Sequence, residues 1–370
     1  MVSHPRTLNQ RFNRLFVLLL KNCKSVITLE KERPVLKNMD ILIEDGIITE
    51  MGRKDKSGEV IDCSNLLIMP ALVNSFVKLE SPVEDLPPEL ALKMIKIFLI
   101  DSLVSGVTTL LTSLTRFKEK VKSESEKMGL RLMPVTLINF SDILSNSLDF
   151  LDESRLKIID LALTRREVFK VKNTTGNFPV ELLYNKGLLN ENTVLVCPAW
   201  ITSREISLVI ERGAKIVICA SISAYSGLGS FTPVRDMMYE GATIGLGTYD
   251  PRVNMNMFEE TRFSLMCYRH NYYDMSLGEI DFLRLASHGG FKILGINAGT
   301  VREGRSADLI GVSLEKALLD YRYIVNNFRE TISLAIANGE IILKSIDDII
   351  LEKKRLMKEI NEKIYLINSS

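Results

Sequence analysis

The chain has 370 residues, of which 46% are hydrophobic and 25% are charged, and its formal net charge is +1. This composition is typical of a globular protein with a large core, and near-neutrality argues against a nucleic-acid partner or an anionic membrane surface. Since no stretch approaches the roughly 18 apolar residues of a membrane span, no membrane partner is expected either.

The cysteines are few, widely spaced and without a CxxC pair. This usage favours reduced thiols in a cytoplasmic protein. Gln10 is the only glutamine, whereas Lys, Glu and Ile are plentiful, and this bias indicates a thermophilic source. The five cysteines are Cys23, Cys63, Cys197, Cys219 and Cys267.

Short apolar runs separated by turns predict strands at both ends of the chain. Glu44-Asp45-Gly46 and Asn338-Gly339 are hairpin signals, because glycine supplies the positive φ that tight turns require. We expect residues 1–65 and 297–344 to build one composite β-sandwich. The predicted strands are Leu15–Leu20, Ser25–Leu29, Asp40–Ile43, Ile47–Met51, Val60–Ile61, Ala307–Val312, Tyr321–Val325, Thr331–Ala337 and Ile341–Leu343.

Between these ends, strand-like apolar runs alternate with segments of helical spacing. Such alternation predicts parallel strands joined by right-handed crossovers. The strand-like runs are Leu66–Leu79, Val107–Leu111, Leu130–Ile138, Leu156–Leu163, Val194–Cys197, Lys215–Cys219 and Thr243–Leu246. The helical segments are Glu89–Val104, Phe117–Met128, Val180–Lys186, Ser203–Arg212, Val234–Glu240 and Asn256–His270.

The fold class is therefore α/β, with a (β/α)8 TIM-like barrel over residues 66–296. The count of units is short by about one, because residues 139–180 offer only Leu156–Leu163 and the weaker strand Glu167–Lys172. A complete barrel and a trimmed one both remain open. Residues 345–370 are expected to form a C-terminal helix and tail.

Several ordered blocks between residues 40 and 345 carry a specific resemblance. They are Asp40–Gly52, Val60–Cys63, Leu67–Asn74, Gly106–Thr109, Glu181–Arg269 and Ala298–Leu309. Together these blocks resemble amidohydrolase-superfamily enzymes, in particular the branch of chlorohydrolases and of adenosine-type and guanine deaminases. The resemblance implies hydrolysis of C–N bonds other than peptide bonds.

The metal-binding positions that the resemblance implies hold unsuitable residues here. The first-strand His-x-His falls on Phe76 and Lys78, and the later histidines fall on Cys197 and Ile218. Phenylalanine has no lone pair to donate, and a protonated lysine repels a cation. At the last strand, Tyr249 stands where the family has aspartate.

The remaining carboxylates and histidines do not replace the missing metal ligands. Asp250 follows one residue late, and the fifth-strand carboxylate aligns loosely with Leu163. The only histidines are His4, His270 and His288, and none lies at a predicted strand end. We therefore expect no metal cofactor, with a weak zinc site as the alternative.

Two interpretations of the polar residues stay open. Asp250, Lys78 and Cys197 could meet at the barrel mouth as a rebuilt catalytic site. Alternatively, Cys197 is a small buried side chain and Lys78 pairs with Asp250 or Glu80. We favour the second interpretation, because a two-ligand metal site is weak.

Four aromatic residues are candidate ligand-binding residues: Phe76, Trp200, Tyr225 and Tyr249. They would line the mouth for stacking on a small planar molecule, or simply fill the space of the lost metal site. The sequence thus predicts a catalytically silent amidohydrolase-like protein, a pseudoenzyme. The alternatives are an active hydrolase with a rebuilt site and a structural or partner subunit. A homodimer is compatible with each alternative.

Overall fold

The computed structural model of the chain describes residues 16–53, 58–145, 155–161, 164–313, 321–327 and 332–369. His4 and Leu163 lie outside these ranges. The strands are β1 Val17–Ile27, β2 Val35–Glu44, β3 Ile47–Gly52, β4 Glu59–Asp62, β5 Leu66–Pro70, β6 Leu72–Val77, β7 Val107–Thr112, β8 Arg131–Pro134, β9 Thr136–Asn139, β10 Lys157–Asp160, β11 Thr193–Val196, β12 Lys215–Ile218, β13 Thr243–Leu246, β14 Leu309–Ser313, β15 Ile332–Ala337 and β16 Glu340–Leu343. The α-helices are α1 Pro88–Val104, α2 Lys118–Lys127, α3 Phe140–Leu144, α4 Arg165–Thr175, α5 Pro179–Asn185, α6 Ser203–Glu211, α7 Ala220–Tyr225, α8 Val234–Tyr239, α9 Met257–Tyr272, α10 Glu279–Arg284, α11 Gly290–Ile293, α12 Tyr321–Asn327 and α13 Asp347–Ser369.

The two ends of the chain build one β layer, as expected. The sheet order is β16-β15-β14-β5-β1-β2-β3, and β5 pairs antiparallel with β14. The predicted hairpin turns are present, with positive φ at Asp45, Gly46, Asn338 and Gly339. These two turns are in contact. A Cβ added to Gly339 would lie only 2.3 Å from the Cα of Gly46. Glycine is therefore required at both turns for packing as well as for φ.

This β layer is one forked sheet. The long strand β1 replaces the two short strands expected there, and it pairs with β2, β4 and β5. A bulge between Leu20 and Cys23 lets β1 change partners without ending. A separate apolar core fills this domain, with Leu18, Ile43 and Ile336 fully buried.

The barrel has seven strand positions within the described ranges. They are β6, β7, the bent pair β8 and β9, β10, β11, β12 and β13, and every pairing is parallel. The segment 131–139 serves as one strand that pairs with β7 in its first half and with β10 in its second. The barrel closes where the Tyr249 N–H donates to the Phe76 carbonyl at 2.9 Å. The trimmed alternative therefore describes this barrel.

Three other predicted strands also differ in the structure. The run Leu66–Leu79 contains two strands, β5 in the β layer and β6 in the barrel, so the barrel begins at Leu72. Glu167–Lys172 belongs to helix α4, whose capping box joins Thr164 and Glu167. Tyr321–Val325 belongs to helix α12.

The C-terminal helix α13 packs against α1. Ile360, which is 2% exposed, contacts Leu90 and Ile97. Lys93 forms an ion pair with Glu359 at 2.9 Å beside this contact. Among the described helices, none is both long and apolar enough to cross a membrane.

Candidate functional site

The carboxyl ends of the barrel strands meet at one face, where barrel active sites are built. β6 brings Phe76 there, and Lys78 follows directly after it. β10 ends at Asp160, Cys197 follows β11, and Tyr249 lies beyond β13. We call these five residues the mouth cluster.

An ion pair lies at the centre of the mouth cluster. The Lys78 ammonium donates to Asp160 Oδ2 at 2.7 Å and to the Tyr249 hydroxyl at 2.6 Å. The Tyr249 hydroxyl donates to the same Asp160 oxygen at 2.5 Å. The Lys78 and Asp160 side chains are only 18% and 13% exposed, so their attraction is weakly screened. Burial and the neighbouring Asp160 carboxylate raise the pKa of Tyr249 well above its usual range, which keeps its hydroxyl protonated.

The interpretation favoured from the sequence paired Lys78 with Asp250 or Glu80. The structure shows neither pair, because Lys78 binds Asp160. Glu80 instead accepts N–H groups of Thr115 at 2.8 Å and Phe117 at 2.7 Å. Although burial of Glu80 favours its neutral form, these N–H groups lower its pKa. Asp250 binds Arg252, with 2.7 Å between Oδ2 and Nη2, and this contact lowers the pKa of Asp250 in the same way. Both expected partners are therefore engaged elsewhere, Glu80 by the N–H groups of segment 115–117 and Asp250 by Arg252.

Cys197 and Phe76 fill the space below the ion pair. Cys197 is 3% exposed, and its thiol lies 3.7 Å from the carbonyl oxygen of Cys219. Phe76 is fully buried and contacts the Tyr249 ring edge-on, with 5.7 Å between ring centroids. Burial and the adjacent Cys197 raise the pKa of Cys219, so its thiol is neutral. The buried interpretation of Cys197 thus agrees with its surroundings.

Two residues of the mouth have a left-handed backbone. Cys197 has φ of 50° and Tyr249 has φ of 62°, although neither is glycine. Such a conformation costs roughly 1–2 kcal/mol per residue and persists only where the surroundings impose it. The ion pair and the barrel closure impose it on Tyr249, whose N–H and carbonyl both bond β6 and its continuation.

The other aromatic candidates lie toward the rim. The Trp200 indole N–H donates to the Leu228 carbonyl at 3.1 Å, and the Arg165 guanidinium lies 5.8 Å from its ring centroid. Tyr225 ends helix α7 with 78% of its side chain exposed. Only Phe76 and Tyr249 among the four candidates are in ring contact, so the expected four-membered lining is not assembled in this structure.

Glu260 anchors the loop that follows β12. It is fully buried, and its Oε1 accepts the N–H groups of Ala220 at 2.5 Å and Ser221 at 3.1 Å. Its Oε2 accepts from the Ser221 hydroxyl and from Asn254 Nδ2. Burial raises the pKa of Glu260 to about 7 despite these donors. Glu260, in the first turn of α9, is thus a polar anchor for this loop.

The donor set at the mouth does not fit a catalytic metal. Ile218, at the position of a family histidine, ends β12 with a buried aliphatic side chain. Lys78 contributes a cation, Phe76 has no donor atom, and Asp250 is bound to Arg252. Within the ranges that the structure describes, no three His, Cys, Asp or Glu side chains form a group that could hold a metal ion. His270 is exposed at the end of α9, and His288 lies among helical turns near Ala298.

Asp160 is the residue that sequence reasoning missed. The fifth-strand carboxylate was aligned with Leu163, three positions further along the chain. One signal could have found Asp160, since it is the only carboxylate within the predicted strand Leu156–Leu163. Its position at the end of β10 directs it to the mouth, where its second oxygen, Oδ1, is buried without a hydrogen-bond partner among the residues that the structure describes.

Comparison with known proteins identifies relatives that align with much of the chain. The amidohydrolase family profile matches residues 162–342. The chain is 33% identical over 220 residues to the 5-methylthioadenosine/S-adenosylhomocysteine deaminase of Aquifex aeolicus, covering 54% of this chain and 50% of that protein. It is 26% identical over 348 residues to the enzyme of that name from Pyrococcus furiosus, covering 75% of this chain and 82% of that protein. The chain therefore aligns with about half the length of the first relative and with most of the second.

Solved structures show the same fold. An adenosine deaminase from Xanthomonas campestris with bound Zn superposes with a TM-score of 0.78 at 17% identity, covering 93% of this chain and 98% of that one. The atrazine chlorohydrolase of Arthrobacter aurescens TC1, complexed with zinc, superposes with a TM-score of 0.78 at 16% identity, covering 92% and 99%. Residues 162–342 therefore carry an amidohydrolase-family domain, in a chain whose TIM-like barrel and composite β layer share the fold of these solved structures.

Proposed function

We propose that this protein is an amidohydrolase-family member without metal-dependent hydrolysis, in which an internal ion pair occupies the barrel mouth. The observation that carries the proposal is the Lys78 ammonium, 2.7 Å from Asp160 Oδ2 at a position where the family resemblance implies a metal ligand. A fixed ammonium neutralises the buried carboxylate, which a metal ion would otherwise do. It also repels any second cation at that place.

The substitutions at the mouth support the proposal together. A catalytic zinc site needs three protein ligands and an open position for water. Phe76 instead occupies the interior as a fully buried side chain, and Cys197 is 3% exposed. The mouth is thus packed by side chains where a hydrolase would hold metal-bound water.

The rebuilt catalytic site is the weaker alternative. It requires Asp250, Lys78 and Cys197 to act on one substrate. Asp250 and Lys78 each have a closer partner of opposite charge, Arg252 and Asp160. Neither of the two histidines that the structure describes is available as a base for the Cys197 thiol, because His270 and His288 lie on helical segments away from the strand ends.

Ammonia release tests the proposal directly. The relatives named above are deaminases of 5-methylthioadenosine and S-adenosylhomocysteine, so both compounds are assayed with the full chain, with and without added zinc. We expect no release above the protein-free rate, while the Aquifex aeolicus deaminase serves as the active control. Zinc-dependent release that disappears in a Cys197→Ser variant would overturn the proposal.

A second candidate function is binding of a small molecule at the mouth. Asp160 Oδ1 favours it, because a buried acceptor without a partner calls for a donor from water or a ligand. Adenosine and 5-methylthioadenosine carry exocyclic amino groups that could donate there. A ligand-induced rise in Tm that is lost in Asp160→Ala and kept in the exposed Asp236→Ala would support this function. An unchanged Tm at millimolar ligand would reject it for these compounds.

A further inference from the structure

An apolar groove runs between helices α1 and α13 on the outside of the barrel. Its volume is about 690 Å³, and its apolar surface comes from Ile100 and Val104 of α1 and from Ile350 and Met357 of α13. Ile100 is 1% exposed, whereas Met357 is 40% exposed. The groove is therefore concave, with a buried floor and an open apolar wall.

The helical period creates the α13 side of this groove. Ile350, Lys354, Met357 and Asn361 follow one another at intervals of four, three and four residues, and all four line the groove. Such spacing places them on one face of a helix, beside the face from which Ile360 packs on α1. At a rise of about 1.5 Å per residue, the groove extends over about 16 Å of α13.

Three lysines line the groove, against one glutamate. Lys353 binds Asp101 of α1, and Lys358 lies 3.9 Å from Glu362. Lys354 is exposed, and it has no ion-pair partner among the residues that the structure describes. The rim of the groove thus keeps one positive charge in excess. The aliphatic stems of the lysines also extend its apolar surface.

An apolar floor below a cationic rim is complementary to an amphiphilic anion. Small-molecule sites are typically concave and mostly apolar, with a few charged groups that fix the orientation of the ligand. A bilayer surface fits less well, because the buried side chain of Ile100 lies at the bottom of a groove that a flat surface does not enter. A single acyl chain, by contrast, fits lengthwise along α13.

We propose that the groove between α1 and α13 binds a free fatty carboxylate with a single acyl chain of medium length. The acyl chain lies on Ile100, Val104 and Met357, and the carboxylate lies beside Lys354 and Lys358. These two lysines are four residues apart on α13, so both ammonium groups can reach one carboxylate.

The proposed site is separate from the barrel mouth. Helix α1 ends at Val104, just before β7 begins at Val107, so the groove lies near the amino-terminal ends of the barrel strands. The mouth lies at their carboxyl ends. Because both helices contribute to the groove, a bound chain bridges α1 and α13 and stabilises their packing. The site does not depend on the function proposed for the mouth.

Isothermal titration calorimetry of the full chain with dodecanoate, kept below its micelle concentration, tests the proposal. We expect saturable one-to-one binding and a rise in Tm. Affinity should increase about two- to four-fold per CH2 group from octanoate to dodecanoate, because each added group is buried on the apolar floor. Dodecyltrimethylammonium has the same chain with a cationic head and should bind about ten-fold more weakly, since the lysines repel it.

Two matched pairs of variants locate the site on α13. Met357→Glu places a carboxylate on the apolar wall and should weaken dodecanoate binding by about ten-fold or more. Leu351→Glu changes an exposed position outside the groove and should leave binding unchanged. Lys354→Gln should weaken binding by about two- to five-fold, whereas Arg355→Gln, also exposed and outside the groove, should not. Circular dichroism and the Tm without ligand confirm that each variant folds.

Four results would overturn the proposal. The first is the absence of both binding heat and a Tm shift with dodecanoate in the wild type. The second is equal affinity for the cationic analogue, and the third is unchanged binding in Met357→Glu. The fourth is binding to anionic phospholipid vesicles without binding of monomeric dodecanoate, which would identify a membrane-binding surface instead.

Discussion

Lys78 connects the two sides of the barrel mouth, because its ammonium binds Asp160 at 2.7 Å and the Tyr249 hydroxyl at 2.6 Å. We predict that Lys78→Met lowers the free energy of unfolding by about 2–4 kcal/mol, since it leaves a mostly buried carboxylate without a cation. Urea denaturation followed by circular dichroism measures the change. Lys120→Met, on the exposed face of α2, is the control and should change stability by less than about 0.5 kcal/mol. Equal effects of the two variants would mean that the ion pair has no structural role.

Glu260 makes stability depend on pH. Its pKa rises from 4.5 to about 7 in the folded chain, chiefly because it is buried. Between these values the folded state holds more protons than the unfolded state, so stability falls as pH rises through this window. The contribution is complete below pH 4.5 and lost above pH 7, and its size is on the order of 3 kcal/mol.

Glu260→Gln removes this titration. We expect the stability of the wild type to decline between pH 4.5 and 7.5 relative to that of Glu260→Gln, as measured by urea denaturation at each pH. Glu259→Gln changes an exposed neighbour on the same helix and should follow the wild-type curve. Parallel curves for the wild type and Glu260→Gln would show that Glu260 keeps an ordinary pKa in the folded chain.

The residue types at the mouth could be identified from the sequence, but their contacts could not. Phe76, Lys78 and Tyr249 were identified from the resemblance, since their chemistry is visible in the residue type. The partner of Lys78 depends on which strand end lies opposite Lys78 across the barrel. That opposition joins residues 82 positions apart in the chain. Asp160 was missed for this reason, although its place near the end of a predicted strand was visible.

At the scale of elements, α13 stabilises the barrel from outside by packing on α1. We predict that Ile360→Ala costs about 2–4 kcal/mol, because Ile360 is 2% exposed against Leu90 and Ile97. Leu351→Ala lies on the same helix, is 68% exposed, and should cost less than about 1 kcal/mol. Thermal unfolding of both variants measures the difference. Similar Tm values would indicate that α13 does not contribute to the cooperative unit.

Most helices and strands could be predicted because their apolar spacing matches their burial. The helical segments Glu89–Val104 and Ser203–Arg212, for example, agree with α1 and α6 within one residue at each end. Tyr321–Val325 was wrong because aromatic and β-branched residues favoured a strand. Its buried positions Ile324 and Val325 lie three and four residues after Tyr321, which packs on the same core. This is helical spacing, and it was overridden by residue type.

At the scale of the whole molecule, the seven barrel strands within the described ranges agree with the short unit count. The segment 131–139 pairs with β7 and then with β10, so one bent strand bridges two neighbours without an additional unit. The sequence indicated about one barrel unit too few, but it could not show how a barrel with this number of strands closes. Closure depends on the contact between Tyr249 and Phe76, which joins the last strand to the first.

We propose that a lysine–aspartate pair occupies the barrel mouth in place of a metal ion. Elemental analysis of untagged full-length protein, purified without chelator and again after loading with zinc, iron or manganese, tests this most directly. We expect less than about a tenth of an equivalent of metal per chain in every preparation. About one equivalent, retained after dialysis and lost on substituting Cys197 or Asp250, would contradict it.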